Sequence, residues 1–267
     1  MTTTARDHWA GVADAYAATF ARLCAGAIPA VIDASELAYG DRVLDVGAGT
    51  GELATALVEL GATVTAVEPD QDMVDLCARR TRDLAVDVRL GGLPDLPVPD
   101  ASYDVVVANF VVNHVDDPRA GLKALARAAR PDGRVVATIW PSGTTDQARL
   151  FAEVMDASGA TAPASTRLPP ELDFERSETG LADLFEYAGL TEITTRTTGH
   201  DWRVRPEVFW AGVGAGIGGI GRTYLAQETD VRRRMDAEFD RLRAPLMDGE
   251  ELVLPSPAVL ATGLRPR

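Results

Sequence analysis

The chain is short of cysteine, histidine and aromatic residues, with two, three and 6% respectively in 267 residues. Each shortage removes a class of protein. Cys24 and Cys77 stand alone and far apart, which supports neither a disulfide scaffold nor a thiolate metal site, and both read as small apolar core residues. His8, His114 and His200 are too scattered to give ligand spacing, so no metal site is expected. Serine is sparse and none sits in a nucleophile-elbow motif, which removes the usual Ser-His-Asp hydrolase reading. The opening Met1-Thr2-Thr3-Thr4-Ala5 lacks an apolar segment of signal-peptide length. No later run is long and apolar enough to cross a bilayer, so a cytoplasmic protein without a membrane partner is expected.

Positive charge is scarce as well. Lysine and arginine total 26 against 40 acidic residues, a formal net charge of -14 at pH 7. That field repels a nucleic-acid backbone. The short clusters Arg79-Arg80 with Arg82, and Arg232-Arg233-Arg234, read as solvated helix faces that do not reverse it. A small or neutral substrate is favoured, with no nucleic-acid partner. The length is enough to bury a large core, as one α/β domain or a domain with a substantial insertion.

What the chain does have is glycine concentrated at one informative place. Val43-Leu44-Asp45-Val46-Gly47-Ala48-Gly49-Thr50-Gly51 is a short apolar strand with an acid near its end, followed by three glycines in a five-residue turn that leads into helical sequence. Such a turn brings backbone close to a ligand and leaves the N–H groups of a helix start free beside it, which implies a nucleotide-like cofactor. Around it the periodicity switches between two kinds. Apolar and aromatic positions at Trp9, Val12, Tyr16, Phe20 and Leu23 recur at three and four, predicting one or two helices over residues 7 to 38. Short β-branched runs at 42–46 and 63–67 flank a helix over 52–59, a βαβ unit.

Further along, a helix is predicted over 71–80, a strand near 85–89, a strand over 103–108, a helix over 118–129 with Asp117 near its N-cap, and a strand over 134–140 after Pro131-Asp132-Gly133. Strands alternating with helices at this spacing imply a mostly parallel sheet covered on both faces. The second half is less regular, with helices over 148–157 and 178–188, an alternating strand over 191–204 and two helical blocks over 206–220 and 228–242. A final strand near 258–262 is expected to re-enter the sheet. The reading is a Rossmann-like α/β fold: seven strands, mostly parallel, flanked by helices, with an antiparallel last strand. Residues 1–38 form an N-terminal helical cover, 39–140 the cofactor-binding core and 141–267 the completion of the sheet. A helical insertion about 205–250 serves as lid or substrate wall.

A nicotinamide dinucleotide site competes for the glycine turn, because Gly47, Gly49 and Glu68 fit a loose dinucleotide fingerprint. The usual pyrophosphate form is Gly-x-Gly-x-x-Gly, whereas here the third glycine, Gly51, follows Gly49 by two. Asp45 beside the turn suits an amino group and is a poor neighbour for a pyrophosphate.

Three separated motifs together resemble the class I S-adenosylmethionine-dependent methyltransferases. Val43 to Gly51 is similar to their first motif, Val67-Glu68-Pro69-Asp70 to the acidic motif after the second strand, and Asp104 to Asp117 to the segment around the fourth strand. The likeness covers about residues 40 to 140. It implies S-adenosyl-L-methionine as cofactor, with Gly47, Ala48 and Gly49 passing under the methionine moiety and Asp45 organising its ammonium side. Glu68 would take both ribose hydroxyls, and Pro69, Gln71 and Met73 would lie beside ribose and adenine. The resemblance further implies backbone contacts from Asn109 to the methionine portion and a Tyr16 contact to its carboxylate end. Relatives commonly carry an aspartate where this chain has Gly92, so adenine recognition would rest more on backbone near Gly92 and Leu93.

Methyl transfer to a hydroxyl or amine needs positioning and somewhere for a proton to go. His114, on the loop after the fourth strand, is the candidate acceptor of that proton, with loop fastening as its alternative. His8 and Trp9 belong to the covering segment, and His200 is expected at the surface or lining the substrate cavity. Phe209, Trp210, Val213, Ile217, Ile220 and Tyr224 recur at helical intervals. They supply apolar surface that closes over an organic acceptor, packs on the sheet or forms a homodimer interface. Oxygen, nitrogen and carbon acceptors all stay open. So do two other functions: a cofactor-binding protein with a non-methylating reaction, and a nicotinamide oxidoreductase.

Overall fold

The computed structural model describes residues 11–143, 145–163 and 168–267. Three short helices come first, α1 (Ala13–Ala18), α2 (Ala21–Ala25) and α3 (Ile28–Ser35), where sequence periodicity predicted one or two. Breaks at Thr19-Phe20 and Gly26-Ala27 keep this segment from running on as one rod.

The framework that follows is β1 (Arg42–Val46), α4 (Glu52–Glu59), β2 (Thr63–Glu68), α5 (Gln71–Arg80), β3 (Val86–Leu90), β4 (Tyr103–Asn109), α6 (Pro118–Ala128) and β5 (Ala129–Ile139). Side chains start several of these helices. Asp70 Oδ1 accepts the Met73 N–H at 3.0 Å and Asp117 Oδ1 the Ala120 N–H at 2.9 Å. Each such cap contributes about 1 kcal/mol.

The second half adds α7 (Asp146–Ser158), α8 (Glu178–Tyr187), β6 (Thr191–Val204), α9 (Pro206–Gly214), α10 (Gly218–Leu225), α11 (Thr229–Leu242), β7 (Met247–Asp248) and β8 (Glu251–Leu264). The sheet runs β3-β2-β1-β4-β5-β8-β6, with the two-residue β7 paired to β8. β1 to β5 are mutually parallel, and β8 lies antiparallel between β5 and β6. The Rossmann-like architecture expected from the sequence is the one found, with α9, α10 and α11 inserted between the last two long strands.

Alternation along β1 sorts the core. Leu44 and Val46 face the cluster built with α6 and α8, while Val43 packs in the cluster with α3 and α4. Asp45 shares Val43's face by the period of two, and so lies on the α4 side. A third cluster joins the outer ends of β6 and β8 to α7, α9 and α11, with Phe20, Trp202, Phe209, Met235 and Phe239 at its centre. Phe209 and Val213 are therefore core residues at 1% and 0% exposure. Trp210 stacks on Phe239 at 4.2 Å, and both the Trp210 Nε1–H and the Tyr224 hydroxyl donate to Asp236 Oδ1, at 2.8 and 2.9 Å. Of the six apolar positions read as a lid face, these four pack against their own domain, Phe209 and Val213 fully and Trp210 and Tyr224 in part.

Among the described residues, no helix is long and apolar enough to cross a membrane.

Candidate functional site

A cavity of about 450 Å³ opens at the carboxyl ends of the parallel strands. It lies where the strand order passes from β2-β1 to β4-β5. In open α/β sheets this switch point is where successive strands send their loops apart, leaving a crevice for a ligand.

Its floor is the glycine turn. The Gly47 and Ala48 N–H groups both donate to the Val67 carbonyl, at 2.7 and 3.2 Å, tying the turn to β2. Gly47, at φ +70°, presses on the next loop: a Cβ there would sit 2.4 Å from Val111 Cγ2. Gly49, at φ +56°, faces open space, where an added Cβ would meet only Tyr16 Cε1 at 3.8 Å. The turn thus uses one glycine for close packing and leaves another exposed to a ligand.

Glu68 ends β2 and lines the cavity at 5% exposure. Its Oε2 accepts the Gly49 N–H at 2.9 Å and its Oε1 the Asp70 N–H at 3.2 Å. Burial pushes its pKa up from 4.5 to about 7, with the Asp70 charge adding to it and the two N–H groups opposing. Pro69, Met73, Gly92 and Leu93 complete this end as apolar or backbone walls.

Three residues expected in the site stand back from it. Gln71 is exposed on α5 and its amide donates to Asp75 Oδ1 at 2.7 Å, because the first turn of the helix directs it to solvent. Ala48 packs into the core beside Leu53 and Cys77. Asp45 lies beneath the turn at 1% exposure, with the Ala54 N–H on its carboxyl and Oδ2 without a partner among the described residues. Burial, followed by the charges of Glu68 and Glu52, raises its pKa from 3.8 to about 7.

The N-terminal helices form another wall. Tyr16 lines the cavity and its hydroxyl hydrogen-bonds the Cys24 thiol. Burial raises the Tyr16 pKa well above 10 and that of Cys24 to about 11, so both are neutral at pH 7. Asn109 also lines the cavity, and its side chain is a fastener. Nδ2 donates to the Cys24 carbonyl at 3.1 Å and Oδ1 accepts the Thr138 hydroxyl at 2.7 Å, holding α2 to β4 and β5.

The loop after β4 carries the sharpest backbone feature. Phe110 adopts φ +58°, a region that bulky residues seldom enter and that costs on the order of 1–3 kcal/mol. Its N–H donates to Thr138 Oγ1 at 2.9 Å, and its ring stacks on Trp140 with centroids 3.7 Å apart at 10°. Asn113 brackets Trp140 from the same loop: Oδ1 accepts the Trp140 N–H at 2.8 Å and Nδ2 donates to its carbonyl at 3.2 Å. His114 follows at the end of the turn Val112–His114 and lines the cavity.

The remaining walls come from segments with no motif to announce them. Trp140 and Thr145 enter from the connection between β5 and α7, Gln147 from the first turn of α7, Ile217 and Ile220 from the insertion, and Pro255 and Ser256 from β8. His200 lies elsewhere. Its ring packs on Gly26, between α2 and α3, so tightly that a Gly26 Cβ would fall 2.1 Å from it, and burial lowers its pKa. It is a half-buried packing residue outside the cavity lining. His8 and Trp9 lie outside the described residues. Among the described residues no cluster of three or more His, Cys, Asp or Glu is arranged to hold a metal ion.

Residues 44–137 match the family model described as a methyltransferase domain. A demethylmenaquinone methyltransferase of Clavibacter sepedonicus is 39% identical over 98 residues, which are 36% of this chain and 40% of the relative. An uncharacterized methyltransferase of Mycobacterium bovis is 42% identical over 108 residues, 40% of this chain and 43% of that one. The chain thus spans about 40% of the length of the curated relatives it matches. Among solved structures, a phosphoethanolamine N-methyltransferase 2 of Haemonchus contortus in complex with S-adenosyl-L-methionine superposes with a TM-score of 0.56 at 16% identity. It covers 90% of this chain and 52% of the other. That similarity concerns the fold.

Proposed function

We propose that the chain is a class I S-adenosylmethionine-dependent methyltransferase that moves a methyl group from S-adenosyl-L-methionine to a small organic acceptor, a reading supported by the methyltransferase-domain match over residues 44–137 and by the methyltransferase relatives. The observation that carries the reading is Glu68, a buried carboxyl at the cavity wall whose two oxygens are oriented by the Gly49 and Asp70 N–H groups. Oriented this way, it suits a vicinal diol such as a ribose, and charge-assisted contacts of this kind contribute roughly 1.5–3 kcal/mol.

The residues around it divide the cofactor between them. Pro69, Met73, Gly92 and Leu93 would enclose the adenine, and Gly47, Gly49, Tyr16 and Asn109 the methionine portion. Asp45, a layer below, favours the cofactor's ammonium through its charge. When bound, S-adenosylmethionine supplies an electrophilic methyl group on a sulfonium. The chain's part is to orient the acceptor, to exclude water with α1, α2 and the α10 region, and to take up a proton where the acceptor releases one. We assign that last role to His114.

Division into a cover (1–38), a binding core (39–140) and a sheet-completing, acceptor-side part (141–267) follows from this assignment. The net charge of -14 supports a small-molecule acceptor over a nucleic acid. The unpaired thiols Cys24 and Cys77 support the cytoplasm as the compartment.

Calorimetric titration with S-adenosylmethionine, its demethylated product and nicotinamide dinucleotides tests the cofactor. The first two should bind and the dinucleotides should not; the reverse order identifies an oxidoreductase. Product mass tests the chemistry, because a turned-over acceptor without the gain of one methyl group means a non-methylating reaction. His114→Ala should lower turnover and remove an ionisation from its pH profile. Unchanged turnover and profile would leave His114 a loop fastener.

A further inference from the structure

We infer that the acceptor is an uncharged, flat, largely apolar molecule with one hydrogen-bonding group, and that the Gln147 amide is the side chain that orients it. The inference rests on the methyl-transfer reading for the word acceptor; the chemistry of the pocket is argued from its walls.

Charge comes first. Of the described residues lining the cavity, Glu68 is the sole carboxylate and none is Lys or Arg. Glu68 is held by two backbone N–H groups at the end assigned to the cofactor. A carboxylate or phosphate brought to the opposite end would find no Lys or Arg, and an ammonium there would find no acid. Burying a charge without a partner costs several kcal/mol, and an anion would also meet the field of a chain with net charge -14.

Shape comes second. The Phe110–Trp140 stack, at 10° between planes, presents flat aromatic surface that Asn113 pins on both sides of the Trp140 backbone. Ile217, Ile220 and Pro255 supply the remaining apolar wall. A rigid planar wall rewards a planar ligand through stacking and area burial.

Polar groups settle the third point. At this end the Thr145 hydroxyl oxygen accepts the Ala148 N–H at 3.1 Å, which leaves it only a donor to offer, and the Ser256 hydroxyl donates to the Leu254 carbonyl at 2.9 Å, which leaves it only an acceptor. Gln147 is half-buried in the first turn of α7 and lines the cavity. Among the described residues nothing ties its amide by a hydrogen bond, so it offers both a donor and an acceptor to a ligand.

An anionic acceptor is the rival outcome, through Arg222. That guanidinium stands on α10, half-buried without an acidic partner among the described residues, about 4.0 Å from where a Gly219 Cβ would lie. It is outside the cavity lining.

Three two-ring probes distinguish these cases: naphthol, naphthoate and naphthylmethylammonium, titrated calorimetrically into the whole protein at pH 7 with and without S-adenosylhomocysteine. Naphthol should bind at least about tenfold more tightly than either ion. Gln147→Leu should weaken naphthol by about fivefold or more while leaving S-adenosylhomocysteine affinity unchanged, and Gln147→Glu should shift preference toward the ammonium probe. Naphthoate binding as well as naphthol, and losing that in Arg222→Gln, overturns the inference, as does equal or better binding of the ammonium. Unaltered naphthol affinity in both Gln147 variants removes Gln147 from it. If S-adenosylhomocysteine itself fails to bind, the cofactor reading falls alone, since the order of the probes is read without it as well.

Discussion

Replacing Asp45 by Asn should flatten the pH dependence of the ligand-free protein's stability. The Asp45 carboxyl is 1% exposed, one of its oxygens lacks a partner among the described residues, and Glu68 and Glu52 add like charge. Burial, with those two acids behind it, holds its pKa near 7 against an ordinary 3.8. Because the folded value lies above the unfolded one, stability from this group is fully present below about pH 4. It is lost progressively as pH rises, up to the folded value near 7. A gap of about three units at roughly 1.4 kcal/mol each is about 4 kcal/mol, and the Asp45–Glu68 pair titrates jointly, so the two sites share their losses.

Asn keeps the shape and the Ala54 contact without the charge. Urea unfolding followed by circular dichroism at pH 5, 6, 7 and 8 should show the wild type losing several kcal/mol across the series and Asp45→Asn losing roughly half of that. The variant should be the more stable protein at pH 8 by about 2 kcal/mol and nearly equal at pH 5. Wild-type stability that is flat over this range, or a variant curve parallel to it, refutes the reasoning.

The same two carboxyls make cofactor binding pH-dependent: S-adenosylhomocysteine, which carries an ammonium, should bind more tightly at pH 8 than at pH 6 and release protons on binding, as calorimetry in buffers of different ionisation heat would show. Glu68→Gln should weaken cofactor binding by about 1.5–3 kcal/mol in the same titration while stabilising the ligand-free protein at pH 8. Gly51→Ala should lower the melting temperature, costing about 1–3 kcal/mol: Gly51 has φ +89° and an added Cβ would lie 2.9 Å from Cys77 Sγ. Asp236→Ala, which strands the Trp210 and Tyr224 donors, should cost about 1–3 kcal/mol in urea unfolding and leave cofactor affinity unchanged.

The parallel half of the sheet was legible because each strand there is a compact β-branched run closed by a turn or a cap. β8 was read as residues 258–262 and extends over Glu251–Leu264, since Pro255 and Pro257 look like breakers. They are tolerated because β5 pairs only with residues 259–264 of β8 and β7 only with 251 and 252, leaving one edge unpaired over 253–258. Being two apart, both prolines turn their missing N–H to that edge. The same open stretch delivers Pro255 and Ser256 to the cavity. Trp140, Thr145 and Gln147 were unreadable for a related reason: they reach the site by chain routing, with no spacing to mark them. The meeting of Glu68 and Gly49 at the cavity was readable because both belong to one βαβ unit. Gln71 shares that locality in sequence, while the turn of α5 leaves its side chain exposed and bonded to Asp75.

A crystal structure of the protein with S-adenosylhomocysteine tests the central claim most directly. The account predicts the ribose hydroxyls on the Glu68 carboxylate, the adenine between Met73 and Leu93, and the sulfur directed toward the His114 and Trp140 side of the cavity. A ligand bound elsewhere, or in this cavity with its ribose away from Glu68, would contradict it.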